Sequence, residues 1–241
     1  MVTAHNIVFR IPALNKVQKF CVWNYLSATI KASQFWLPRL TADLAFSIDV
    51  VDQLVNLSIA DRLGQRVLPA GLTVVDDPTR HRGLRSRPFD GEGMKGERRL
   101  IVEDGVLTTW LLDWRSARQL NMTSTGHASR GTGGPPSPSP TNLWLEAGAV
   151  TPTALMADIR EGLYVTELIG MGVNGVTGDY SRGAAGFMIR DGALAEPVSE
   201  VTIAGNVREM LLHMTPADDL EFRRGTDSPT VRVEGLTMAG G

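Results

Sequence analysis

With 241 residues, 43% of them hydrophobic and 21% charged, the chain has the composition of a soluble globular protein and can bury a core without a covalent staple. Its net charge of -2 offers no bulk attraction to nucleic acid or anionic lipid. A single cysteine, Cys21, excludes an intrachain disulfide and an all-cysteine zinc site. No apolar run approaches the ~18 residues of a membrane span, and "MVTAHNIVFRIPAL" lacks the basic region and unbroken apolar stretch of a signal peptide. These features predict a cytoplasmic protein with neither nucleic acid nor membrane among its partners.

In chain order, "VQKFCVWNYLSATIKASQFWLPRL" is compatible with helix or strand. Leu44, Ile48, Val51 and Val55 fall at three- and four-residue intervals, which predicts an amphipathic helix from Leu44 to Leu63 with Gly64 as its stop. From Gly71 onward the text becomes β-rich. "GLTVVDDP" predicts a short strand ended by a turn. The arginine-rich "TRHRGLRSR" that follows is an anion contact or a solvated loop, and the lack of interleaved aromatics favours the loop.

Asp104-Gly105 in "RRLIVEDGVLTTWLLD" and Asp191-Gly192 in "FMIRDGALAEPV" predict two hairpins, because both residue types tolerate the positive φ of a two-residue turn. "GHASRGTGGPPSPSP", Gly126 to Pro140, predicts an exposed loop. Thr151 as cap, Pro152 at the first position and Gly162 at the end predict a helix in "TPTALMADIREG". A second helix follows Asn206, where Val207, Met210, Leu211 and Met214 line one face. "TVRVEGLTM", Thr230 to Met238, predicts one final strand. Strands with a few inserted helices define an α+β class.

The chemistry is tested against residue type and spacing. Gly175, Gly178, Gly183 and Gly186 are close enough for a phosphate loop, but Phe187 and Met188 stand where a Walker loop needs Lys and Ser or Thr. A strand begins where a dinucleotide fingerprint needs a helix. His5, His81, His127 and His213 make no zinc-binding pair on one helical face. His213 reads as a helix-end cation or a packed side chain, and Cys21 as a small buried hydrophobe. Asp76, Asp77, Asp90 and Glu92 serve acid–base work or, more simply, build turns.

Six stretches in one order resemble a known family: "RLGQRVLPAGLTVVDDP", "SRPFDGEG", "EDGVLTTWLLDWRSARQL", "STGHASRG", "NGVTGDYSRGAAGFMIRDGALAEPVSEVTIAGN" and "SPTVRVEGLTMAG". Together, from about Asp61 to Gly241, they resemble the C-terminal half of the TldD/PmbA family, in its PmbA (TldE) branch. The resemblance implies a strand-rich α+β domain at 61–241, with antiparallel, barrel-like sheets, hairpins and few helices. Residues 1–60 then form an atypical, partly helical segment without the family's α/β half. A fragment, a shifted reading frame and a divergent paralogue all fit that departure.

The resemblance also implies a cytoplasmic two-subunit zinc metalloprotease that degrades unfolded peptides and trims leader peptides. Family members are also described as modulators of DNA gyrase. In such an assembly the TldD-type subunit carries a His-Glu-x-x-x-His helix and a distant cysteine that hold zinc. Neither has a counterpart here: no histidine lies between His5 and His81, and "RRGTDSPTVRVEGL" has no Cys. The expectation is a non-catalytic subunit with no cofactor of its own, zinc residing in a TldD-like partner, and peptides as substrates. Asn174, Gly175, Gly178, Asp179, Ser181, Gly183, Gly186 and His127 are the candidate peptide-cavity or structural-loop residues. The alternatives are an active metallopeptidase or hydrolase with an unrecognised site, such as His127 with Asp179 or Glu92, and a purely structural assembly domain.

Overall fold

A computed structural model describes residues 6–9, 62–170, 172–174 and 177–240. The helix expected from Leu44 to Leu63, the aromatic stretch around Cys21 and Gly175 therefore lie outside the described residues, apart from the last two positions of that helix.

Two sheets carry the fold. The larger is built on β1 (Asn6–Phe9), β8 (Glu161–Ile169), β9 (Asp179–Arg190), β10 (Ala193–Asn206), β11 (Met214–Pro216), β13 (Val231–Glu234) and β14 (Thr237–Ala239). Its strand order is β11-β13-β1-β8-β9-β10-β14. The smaller contains β2 (Val74–Asp76), β3 (Arg99–Glu103), β4 (Val106–Leu107), β7 (Leu143–Leu145) and β12 (Thr226–Asp227), ordered β12-β7-β2-β3-β4. A two-stranded ribbon pairs β5 (Ala128–Ser129) with β6 (Ser137–Pro138). Among the described residues three short helices complete the elements: α1 (Trp114–Gln119), α2 (Pro152–Met156) and α3 (Val207–Leu212). The α+β class and the strand-rich architecture are as expected. The sheets are mixed, however, because β1 runs parallel to β8 and β12 parallel to β7.

Period-two alternation decides what is buried. Ile7, Leu163, Val165, Ala184, Val201, Ile203, Val231 and Val233 point from the large sheet into one core shared with Val74, Ile101, Val102, Leu143 and Leu145 of the small sheet. Each fully buried aliphatic side chain of this kind contributes roughly 1.5–3 kcal/mol. On the opposite face of the large sheet, Val8, Tyr164 and Ile189 pack with Met156 of α2 and Ile159.

Both Asp-Gly hairpins form. Asp104 and Gly105 have φ of 47° and 77°, Asp191 and Gly192 of 45° and 80°, so all four residues take the left-handed region that a two-residue hairpin turn requires. Asn206 caps α3 as expected, its side chain accepting from Arg208 N, and Val207, Met210 and Leu211 are buried. His213 closes that helix: its exposed ring lies 2.8 Å from Glu209 O through Nδ1.

Four expectations are corrected. Thr151 and Pro152 do open α2, but it ends at Met156, and Gly162 is a buried residue of β8 between β1 and β9. "TVRVEGLTM" is two strands, not one. At Gly235 (φ 81°) the chain turns, sending β13 to β1 and β11 while β14 joins β10 at the far edge. The Gly126 to Pro140 segment is exposed at its tip, yet Gly126, His127 and Ala128 are buried. The glycine-rich stretch is a loop only before Asp179; from there it is the inner strand β9, paired on both sides.

The glycines of that strand differ in what they permit. A register shift between Val165 and Glu167 pushes the β8 backbone over Gly186, so a Cβ there would overlap the Tyr164 carbonyl. A Cβ at Gly183 would meet Ile169 Cβ at an ordinary 3.4 Å. Gly186→Ala is therefore expected to destabilise the chain by about 2 kcal/mol or more. Gly183→Ala is expected to be neutral or stabilising by up to about 0.5 kcal/mol. The midpoints of urea unfolding separate the two.

Candidate functional site

The polar centre of the small sheet is a buried carboxylate. Asp76 closes β2 with its side chain at 0% exposure, and His127, 51 residues away, is equally buried. His127 Nε2 lies 2.9 Å from Asp76 Oδ1, and Nδ1 lies 2.9 Å from Thr125 Oγ1. Asp76 also accepts from Thr141 N at 2.7 Å and from the Thr141 hydroxyl. Thr125 Oγ1 in turn accepts from Leu112 N at 2.7 Å. Every ring nitrogen and both carboxylate oxygens are thus engaged inside the protein. A buried polar group without such partners would cost several kcal/mol.

A second carboxylate continues the network. Asp90 accepts from Glu92 N and Met94 N through Oδ1 and from Ala128 N through Oδ2, each at 2.9 Å. Glu92, held in this way, accepts from Trp114 N at 2.9 Å, while Asp113 caps α1 by accepting from Ser116 N at 2.6 Å. The loop Asp90–Met94 and α1 enclose an open hollow of about 650 Å³ lined by Glu92, Trp114, Arg115, Arg118 and Gln119.

The candidate residues do not form one site. Asn174, Gly178 and Asp179 come together in the tight turn that leads into β9. Asn174 N donates to Asp179 O at 2.9 Å, and Gly178 N to Asn174 O at 2.8 Å. Gly178 (φ 81°) then presents its carbonyl to Val207 N at the start of α3. Ser181 stands on the exposed face of β9, and Gly183 and Gly186 lie further along it. His127 precedes the β5–β6 ribbon and packs against the end of β2 in the small sheet, and its carboxylate partner is Asp76, not Asp179 or Glu92. The pairings of His127 with Asp179 or Glu92 do not form: the ring is buried, with Asp76 on one nitrogen and Thr125 on the other.

Among the described residues no three His, Cys, Asp or Glu side chains come together as a metal-holding group. The expected turn-forming role holds for Asp77, whose Oδ1 accepts from Thr79 N at 2.7 Å, and for Asp90. Asp76 is instead a strand residue. The arginine-rich stretch is a series of turns in which Arg80 stacks its guanidinium 3.8 Å from the Phe222 ring centre.

Two parts of the site escaped the sequence reading. The Asp76–His127 pair leaves no trace because its members are far apart in the chain. The α1 face was legible in principle: Asp113 is an N-cap type, and Trp114, Arg115, Arg118 and Gln119 recur at i+3 and i+4 spacings.

Fold and site define a strand-rich α+β domain whose histidine–carboxylate centre is sealed for structure and whose open chemistry lies at the rim. Residues 45–240 match the PmbA/TldA metallopeptidase C-terminal domain. Metalloprotease PmbA of Escherichia coli O157:H7 is 43% identical over 184 residues, covering 76% of this chain and 39% of that protein. The Haemophilus influenzae PmbA homologue is 40% identical over 185 residues, with the same shares. Among solved structures, a Thermotoga maritima protein described as a modulator of a DNA gyrase superposes with a TM-score of 0.71 at 26% identity, covering 99% of this chain and 50% of its own. TldE from Thermococcus kodakarensis gives the same TM-score at 20% identity, with 99% and 50% covered, and so shares the fold. The chain belongs to the PmbA/TldD metallopeptidase family and spans about two fifths of the length of these two curated relatives.

Two outcomes are expected at the buried carboxylates. His127→Ala removes a donor from a buried Asp76 and leaves a cavity, so a loss of about 3 kcal/mol or more in denaturant unfolding is expected. Asp227, on β12, has its carboxyl raised above the usual aspartate range by burial, against the opposing backbone hydrogen bonds of Arg223 and Arg224. A raised acid favours the folded state only while protonated, so its contribution is lost as pH climbs through about 3.9 to the higher folded value. Asp227→Asn should therefore gain stability relative to the parent across that climb and hold a level difference above it, as read by unfolding at a series of pH values.

Proposed function

We propose that the chain is the C-terminal part of a PmbA/TldE-type subunit that carries no catalytic centre of its own and works in a cytoplasmic, two-subunit zinc metalloprotease. The zinc and the nucleophilic water belong to a TldD-like partner, and this chain contributes binding surface for peptides, including leader peptides undergoing maturation. The observation that carries the reading is the commitment of His127. The one histidine in the interior of the described residues has Asp76 on one nitrogen and Thr125 on the other. The absence of a His-Glu-x-x-x-His helix from the sequence supports the same reading, because a catalytic zinc needs about three protein ligands.

The purified chain, alone and mixed with a TldD-like subunit, is assayed for zinc by elemental analysis, for association by size-exclusion chromatography, and for cleavage of unstructured peptides. The expected outcome is association, with zinc and chelator-sensitive cleavage both following the TldD-like subunit. Zinc at one equivalent together with chelator-sensitive cleavage by the isolated chain overturns the reading. A failure of the two chains to associate overturns the partner role.

A further inference from the structure

The hollow beside α1 gathers an aromatic ring, two cations and a carboxylate. Trp114 is 50% exposed on the first turn of the helix. Arg115 and Arg118 lie three residues apart on the same face, line the hollow and form no ion pair with any described residue. An exposed indole and two guanidinium groups without an ion pair among the described residues thus surround one concavity, with apolar and cationic groups convergent as in a small-ligand site. Opposite them, Glu92 is immobilised: its Oε2 accepts from Trp114 N at 2.9 Å, leaving Oε1 open as an acceptor. The floor is tied down because Asp90 joins the Glu92 loop to Ala128 and Glu92 joins that loop to the start of α1, which Asp113 caps.

This donor and acceptor set selects a ligand class. Two guanidinium groups pair with an oxyanion, and a planar carboxylate suits their fork geometry. Glu92 disfavours a doubly charged phosphate by repulsion, but it welcomes an N–H placed beside the carboxylate. Trp114 offers an apolar face to a side chain attached between the two. A group that bears an N–H, a side chain and a carboxylate on neighbouring atoms is the C-terminal residue of a peptide. We infer that the hollow formed by Glu92, Trp114, Arg115 and Arg118 is a binding site for the free C-terminus of a peptide, with an apolar last side chain stacked on Trp114.

The assignment deepens the peptide-binding role proposed above, but its test needs neither a partner subunit nor zinc, so either can fail while the other stands. Isothermal titration of the chain is carried out with four probes: an acetylated tripeptide ending in a free leucine, its C-terminal amide, an amidated tripeptide carrying an internal glutamate, and inorganic phosphate. The free acid is expected to bind at least about tenfold more tightly than its amide, the worth of one charge-assisted pair. Arg115→Gln/Arg118→Gln removes that preference while circular dichroism and unfolding midpoint stay unchanged, since both side chains are exposed. Trp114→Ala weakens the leucine peptide more than one ending in glycine. Equal affinity for acid and amide, or an unchanged preference in the double variant, overturns the site. Equal binding of the internal glutamate overturns the C-terminal assignment, and tighter binding of phosphate overturns the peptide class.

Discussion

The structure turns on one buried carboxylate. Asp76 sits at the end of a three-residue strand, with no solvent contact, and must be met by donors from elsewhere in the chain. His127 and Thr141 supply them. Because charge-assisted bonds are short and directional, they fix the positions of the segments that bring those donors as well as satisfying the acid. Thr125 extends the constraint to Leu112, just before α1, and Asp90 joins Ala128, the residue after His127, to the Glu92 loop. The apolar core shared by the two sheets supplies most of the stabilisation, but apolar contact is nondirectional. It could hold the sheets together without deciding where these loops lie. The polar chain running from Asp76 to Glu92 makes that decision.

What was legible in the sequence follows the range of each cause. Asp191-Gly192 and Asp104-Gly105 were readable because a hairpin turn is settled by two residues and their tolerance of positive φ. Asn206 and the apolar face of α3 were readable for the same reason: cap and periodicity are local. Gly162 misled because glycine ends helices and also occurs inside strands, and its neighbours β1 and β9 are invisible from "ADIREG". The buried start of the Gly126 to Pro140 segment was missed because composition describes a segment's average, whereas one histidine bonded to a distant aspartate is enough to draw three residues inside. Asp76 and Asp77 are adjacent and chemically identical, yet one builds a turn and the other anchors the sheet. Only the donors that surround each of them tell them apart.

The glycine-rich stretch shows how a motif can be noticed for the right physical reason and still be placed in the wrong element. Close spacing of glycines does signal a near approach of backbone. At Gly186 the approaching group is the Tyr164 carbonyl, brought forward by the bulge in β8. At Gly178 the left-handed conformation lets the chain turn into β9 and offer its carbonyl to the first residue of α3. Neither needs a ligand. The family resemblance identified the stretch as a signature segment, and the sheet explains that signature as packing within the chain.

A histidine locked between a carboxylate and a threonine resembles the base-and-orienter pair of a hydrolase, and burial is what separates the two. In a working site the outer ring nitrogen faces the reacting atom. Here that position belongs to Thr125, whose oxygen is itself tied to the Leu112 backbone. Freeing His127 for catalysis would mean breaking the Thr125 contact and opening the core around it, which would release the same loops that the network positions. The sealed centre and the open hollow are thus two ends of one arrangement. The interior gives up reactivity to hold the loops, and the same hydrogen bonds fix the Glu92 loop at the edge of the hollow.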